Sequence, residues 1–329
     1  SNWCSYYVEH SWSWFLTLAH NVITSDQSVM PSKTVLPAGV ELDVLLDHLR
    51  RLSWGSADIL LAYSRGEQPP YGFPLALDVL DGGDGPVSAA DLAVNSWLID
   101  GLKENFPSTE WTVISEESAK QELVEGESIA SEWLWILDPL DGTKDFLQGT
   151  GEYAVHLALV HGHEPVLGVV LLPAADELWF GVMGLGAWCE DRLTNSKQVE
   201  FSQRRTLDEL VLVASRNHRD NRLERLLSSL ELGSKKAVGS VGCKVATILR
   251  GEADLYISLS GKSAPKDWDM AAPEAVLVAA GGRFTHANGS PLTYNTGDVS
   301  QAGCLIASHG ISHGSLCKQA YEALRLIDP

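Results

Sequence analysis

Short β-type runs crowd the middle of the chain, and this crowding limits the possible architectures more than any other feature of the sequence. Residues 111–114, 133–137, 153–160, 166–172 and 177–182 are such runs, each broken from the next by Gly, Pro, Asp or Glu. They are too short for buried helices and predict a sheet. After about residue 200 the pattern becomes strand-like at 210–214, helical at 221–230 and 243–250, strand-like at 253–258, helical at 270–280 and strand-like at 303–307, an α/β alternation. Ahead of the sheet, Leu42, Leu45, Leu46, Leu49, Leu52, Ile59 and Leu60 recur at mostly helical spacing, which predicts a long amphipathic helix over 40–63. A turn-rich stretch at 81–86 then leads to a second helix, where Ser88 and Asp91 form a capping pair ahead of Leu92, Leu98, Ile99 and Leu102. With no internal repeat, two subdomains of about 37–200 and 201–329 meeting at a cleft are expected.

The 329 residues include 45% hydrophobic and 20% charged, enough apolar side chain for a sizeable core, which excludes disorder, collagen and coiled coil. Asp plus Glu number 43 against 24 Lys plus Arg, a formal charge of −19 that repels nucleic acid and anionic membranes. An anionic substrate must therefore be captured locally, by metal ions or a small basic pocket. No apolar run reaches the roughly 18 residues of a membrane span. Five scattered cysteines without a CxxC pair fit reduced thiols, so a cytoplasmic or similar reducing location is expected. Residues 1–36, with Trp3, Trp12 and Trp14 among Ser, His and Asn, read as a tail, disordered or lying upstream of a true start at Met30.

Three acidic clusters sit where predicted strands end or a late helix opens: Glu116-Glu117, Asp138 with Asp141, and Asp269. Hard divalent cations such as Mg²⁺ take oxygen ligands, and a pair of them can clamp the attacking and leaving oxygens of a phosphoryl transfer. In Asp138-Pro139-Leu140-Asp141-Gly142-Thr143 the proline stiffens the backbone between the acids. Gly142 permits a sharp turn, so that a loop carbonyl can face the same way as the carboxylates. Thr143 then begins a helix whose free N–H groups favour phosphate. One DxxD alone says little; the conjunction of the clusters is informative.

Glu116-Glu117, Asp138-Pro139-Leu140-Asp141-Gly142-Thr143, Trp268-Asp269 and Gly281-Gly282, in that order, resemble the signature of the metal-dependent, lithium-sensitive phosphatases. These are the inositol monophosphatases, fructose-1,6-bisphosphatases and 3′(2′),5′-bisphosphate nucleotidases. The resemblance covers roughly residues 40–329 and implies an α/β fold layered as an α-β-α-β-α sandwich. The nucleotidase branch is favoured by three segments: Gly239 to Lys244, which resembles the stretch holding a phosphate-contacting lysine; Lys266 to Glu274, in which WD is followed by Ala-Pro-Glu; and Ser215-Arg216-Asn217-His218. A substrate with two phosphates needs a second anion site, and Arg216, His218, Lys244 and Lys266 are candidates for it.

Carried over residue by residue, the resemblance implies two or three Mg²⁺ ions. One is held by Glu116, Asp138, Asp141 and the carbonyl of Leu140, a second by Asp138, Asp141 and Asp269. Thr143 with Asp91 or Glu116 orients and deprotonates the attacking water, and Gly142 and Thr143 contact the phosphate. The implied reaction is removal of the 3′-phosphate of 3′-phosphoadenosine 5′-phosphate, and of its 5′-phosphosulfate analogue, in sulfur assimilation.

Other readings stand beside these. Asp91 serves equally as a helix cap, Trp268 as packing, Lys244 as an ordinary solvated lysine, and Arg216 and His218 as part of a basic face with Arg219, Arg222 and Arg225. Asp267 stands where some nucleotidases have a second lysine before WD, and Asp81, Gly83 and residues 85–88 depart from the Lys, Asp and Ser-Pro-Val-Thr pattern of many relatives. His161-Gly162-His163 reads as a hairpin turn, Gly310 to Gly314 as a chance GxSxG with no His downstream, and Gly184-Leu185-Gly186 as a plain turn. The rival functions are an inositol monophosphatase or sugar bisphosphatase on the same metal core, and a catalytically silent nucleotide-binding regulator. The full acidic set argues against the silent reading.

Overall fold

The structure, a computed structural model, describes residues 34–75, 79–82, 85–216, 221–261 and 263–327. The expected tail, but for its last three residues, lies outside them, as does His218. The long helix forms as α1 (Leu42–Ser64) and the second as α2 (Ala89–Asn105). The turn-rich stretch between them instead carries an antiparallel pair, β1 (Val79–Gly82) and β2 (Gly85–Ser88), with Gly82 opposite Gly85.

The β-type runs build a seven-stranded sheet in sequence order: β3 (Thr112–Ser115), β4 (Trp133–Asp141), β5 (Ala154–His161), β6 (Glu164–Leu172), β7 (Glu177–Val182), β8 (Gly186–Glu190) and β9 (Ser196–Gln198). Every pair is antiparallel except β3 with β4. A seven-residue helix, α3 (Glu116–Glu122), separates those two, and α4 (Thr143–Gln148) follows β4. The later half forms a five-stranded sheet in the order β11-β10-β12-β14-β13, from β10 (Val211–Ala214), β11 (Ser234–Ala237), β12 (Leu255–Ser260), β13 (Arg283–His286) and β14 (Gly303–Ser308). Its helices are α5 (Asn221–Ser229), α6 (Val241–Leu249), α7 (Asp267–Ala279) and α8 (His313–Ile327).

Alternation along the strands sends successive side chains to opposite faces. On one face of the first sheet Trp135, Leu137, Val155 and Leu157 pack on Leu45, Leu49 and Leu98 of α1 and α2. On the other, Leu134, Ile136, Ala158 and Val170 share a core with α6 and α7 and with Val213, Tyr256 and Leu305 of the second sheet. The far face of that sheet, Leu212, Ile257 and Ile306, is covered by Leu226 of α5 and Leu316 of α8. The result is the five-layered α-β-α-β-α arrangement. Its central helix layer sits close: a Cβ on Gly181 would lie 2.5 Å from the Val276 backbone, so only glycine lets α7 approach there.

Candidate active site

Parallel pairing makes β3 and β4 end at the same edge, and the first two acidic clusters stand there. Ser115 caps α3 in a reciprocal box with Ser118, its hydroxyl accepting from Ser118 N at 3.1 Å while Ser115 N donates to the Ser118 hydroxyl at 3.0 Å. Glu116 and Glu117 thereby fall in the first helical turn. At the end of β4 the register with β5 shifts between Asp138 and Asp141, and the Asp138 carboxylate accepts from Leu140 N at 3.1 Å. Gly142, at φ 89, makes the turn, and the Thr143 hydroxyl donates to the Leu140 carbonyl at 3.3 Å. From the second half comes Asp269, in the first turn of α7, whose carboxylate accepts from Lys266 N at 2.7 Å.

Oxygen atoms of Asp138, Asp141 and Asp269 lie within 4.8 Å of one another. Asp138 is 1% exposed, and its Oδ2 has no hydrogen-bond donor facing it. Burial, then Asp269, Glu117 and Asp91, push the Glu116 carboxyl up to about 8. Burial and Asp141 push Asp269 up to about 7, and burial with Glu116, Asp141 and Asp269 holds Asp138 well above the usual carboxylate range. Charges this close need a cation or protons to coexist. The donor set, all hard oxygen with one buried oxygen lacking a donor, fits a divalent cation of the Mg²⁺ type.

The cluster edges a cleft of about 1460 Å³ that Asp91, Glu116, Thr143, Arg216, Lys244 and Lys266 all line, together with Asp141, Gly142 and Asp269. Asp138 and Leu140 are buried and are not among its lining residues. The solvated-lysine reading of Lys244 fails. It is 3% exposed, its Nζ donates to the Ser240 carbonyl at 3.3 Å and stands 5.4 Å from the centre of the Tyr256 ring, and burial lowers its pKa. Lys266 Nζ donates to the Ser300 hydroxyl at 3.1 Å. Arg216 is held to Glu152 at 2.8 Å and to the Ala237 carbonyl at 3.1 Å. Trp268, 8% exposed, is mainly packing. Asp267 is buried and accepts from Asn295 N and Gln301 Nε2 at 3.1 and 2.8 Å. Asn295 in turn bonds both backbone groups of Ile129, so Asp267 braces a cleft wall. Cys243 is buried beside Lys244, its thiol pushed up to about 12, which makes it unreactive.

Sequence reasoning missed four contributors. Ser240 and Val241 hold Asp141 from α6, His156 lies 3.6 Å from the same carboxylate and donates from Nδ1 to the Trp268 carbonyl at 3.1 Å, and Glu152 fixes Arg216. These partners lie from 15 to 112 positions apart, and nothing local marks them except Ser240, a recognisable N-cap ahead of a helical run.

The model of the inositol monophosphatase family matches residues 54–325. The chain belongs to that family. It is 32% identical over 253 residues to the 3′(2′),5′-bisphosphate nucleotidase CysQ of Escherichia coli K12, covering 76% of this chain and 94% of that protein. It is 30% identical over 205 residues to a fructose-1,6-bisphosphatase/inositol-1-monophosphatase of Aquifex aeolicus, covering 60% and 71%. Among solved structures, the family fold of the Thermotoga maritima IMPase superposes with a TM-score of 0.67 at 23% identity, over 86% of this chain and 99% of that one.

Proposed function

We propose that this family member is a Mg²⁺-dependent 3′(2′),5′-bisphosphate nucleotidase that converts 3′-phosphoadenosine 5′-phosphate to AMP and phosphate and accepts the 5′-phosphosulfate analogue. The observation that carries the reading is a buried lysine, Lys244, lining the same cleft as the Asp138–Asp141–Asp269 cluster. A cation facing into the cleft of an acidic protein suits a substrate with a second phosphate. The names of the relatives with the higher identity support the same branch.

Asp138, Asp141 and Asp269, with Glu116 and the Leu140 carbonyl, would hold two or three Mg²⁺ ions. Bound there, the ions supply charge neutralisation for the attacking and leaving oxygens. The chain's own groups position and move protons. The Thr143 hydroxyl, 3.3 Å from the Leu140 carbonyl, and the Glu116 carboxylate line the cleft and orient the attacking water. Glu116, lining the cleft beside Thr143, is the carboxylate placed to take the water's proton. Asp91, 2% exposed in the first turn of α2, adds to the negative field at Glu116. Arg216, Lys244 and Lys266 take the second phosphate. A cytosolic place in sulfur assimilation follows from this substrate and is consistent with four buried free cysteines among the described residues. No helix among those residues is long and apolar enough to cross a membrane.

The test is phosphate release with Mg²⁺ from 3′-phosphoadenosine 5′-phosphate, inositol 1-phosphate and fructose 1,6-bisphosphate, with chromatographic identification of AMP. Strong preference for the nucleotide is expected; preference for either other substrate refutes the branch assignment.

A further inference from the structure

Ser240 occupies a conformation that its own side chain disfavours. At φ 59 and ψ 137 it lies in backbone space where a Cβ is strained and glycine is at ease, and two glycines, Gly239 and Gly242, stand within two residues of it. Non-glycine strain of this kind persists where surrounding contacts over-determine it, and here three do. The Ser240 hydroxyl donates to Asp141 Oδ2 at 2.6 Å, and the following amide, Val241 N, donates to the same oxygen at 2.7 Å. The Ser240 carbonyl accepts from Lys244 Nζ at 3.3 Å. One residue thus joins the acidic cluster at the end of β4 to the buried lysine of α6, across about a hundred positions of sequence.

We propose that Ser240 is a positioning residue: it fixes Oδ2 of Asp141 so that the other oxygen faces the metal, and the same backbone unit aims Lys244 at the second anionic group of the substrate. The strained conformation is the means of serving both, since the side chain points to Asp141 while the carbonyl points to the lysine. The inference rests on the reading of Asp141 as a metal ligand and of Lys244 as an anion contact. Groups one step removed from a metal commonly change its affinity by about 10- to 100-fold when lost.

The experiment is calorimetric titration of the metal-free full chain with Mn²⁺, for the parent and the Ser240→Gly, Ser240→Ala, Lys244→Met and Asp138→Asn variants, with melting curves in chelator. Ser240→Gly removes the hydroxyl and relieves the backbone, so the Mn²⁺ dissociation constant rises about 10- to 100-fold while the melting temperature stays level or increases. Ser240→Ala loses affinity equally but keeps the strain and melts lower than Ser240→Gly. Lys244→Met leaves Mn²⁺ affinity near that of the parent and raises KM for the nucleotide, whereas Ser240→Gly changes both. Unchanged Mn²⁺ affinity in Ser240→Gly overturns the inference while leaving the metal site intact. A Ser240→Gly protein that is unfolded or melts lower than Ser240→Ala shows that the Ser240 backbone does not carry the strain on which the inference rests and also overturns it. Failure of the parent to bind Mn²⁺, or Asp138→Asn binding as the parent does, overturns the metal reading itself.

Discussion

Without metal, the buried carboxylates should make the protein lose stability as pH rises through neutrality, and Mg²⁺ should cancel that loss. Glu116 and Asp269 are pushed to about 8 and about 7 from ordinary values of 4.5 and 3.8, and Asp138 is raised with them. The folded chain therefore keeps protons that the unfolded chain has released, and its stability falls as pH climbs from the unfolded values through the folded ones. His313, lowered to about 4 by burial, acts with the opposite sign but only below about 6.5, where an unfolded imidazole protonates. The informative window is thus pH 6.5 to 8. Glu274, raised to about 8 by burial, titrates in both metal conditions, so the readout is the difference between the two slopes. With one to two protons held by the cluster, the metal-free slope should be steeper by about 1.4 to 2.7 kcal/mol per pH unit. Over the window that is on the order of 5–10 °C in melting temperature for a domain of this size. The assay is thermal denaturation from pH 6.5 to 8 in chelator and in saturating Mg²⁺. Identical slopes in the two conditions would refute the electrostatic account of the cluster.

Two further outcomes follow from single contacts. Lys244→Met should raise KM for 3′-phosphoadenosine 5′-phosphate by about 10- to 100-fold, the worth of one hydrogen bond to a charged group, with turnover of inositol 1-phosphate unchanged; steady-state kinetics on both substrates checks this. Gly181→Ala places a Cβ 2.5 Å from the Val276 backbone and should cost about 1–3 kcal/mol of stability without altering KM, measured by urea denaturation.

Most of the framework was legible in the sequence because it depends on periodicity. The five β-type runs became β3 to β7, and the alternation after residue 200 became β10, α5, α6, β12, α7 and β14, with ends shifted by at most four residues. What escaped lacked a pattern. Ser234–Ala237 is fully exposed at a sheet edge and has no apolar alternation, and Glu116–Glu122 is a two-turn helix with one buried side chain, held by its cap. His313–Ile327 buries Leu316, Cys317 and Ala320 against the second sheet. At the site, the acidic residues were readable because they sit at strand ends and helix starts in fixed local motifs. The orienting groups were not, because Ser240 meets Asp141, and Glu152 meets Arg216, only through tertiary packing. Lys244 illustrates the limit: its neighbours Val245, Ile248 and Leu249 said that the helix was amphipathic, but all nine residues of α6 are buried, which no local pattern announces.

The central claim is that the Asp138–Asp141–Asp269 cluster holds the metal that drives phosphate release. The direct measurement is the rate of phosphate release from 3′-phosphoadenosine 5′-phosphate as Mg²⁺ is titrated into metal-free protein, for the parent and for Asp138→Asn. The account predicts saturable activation of the parent and a loss in the folded variant exceeding the roughly 100-fold typical of groups one step removed from a metal. Activity in chelator, or an Asp138→Asn protein that turns over as the parent does, would contradict it.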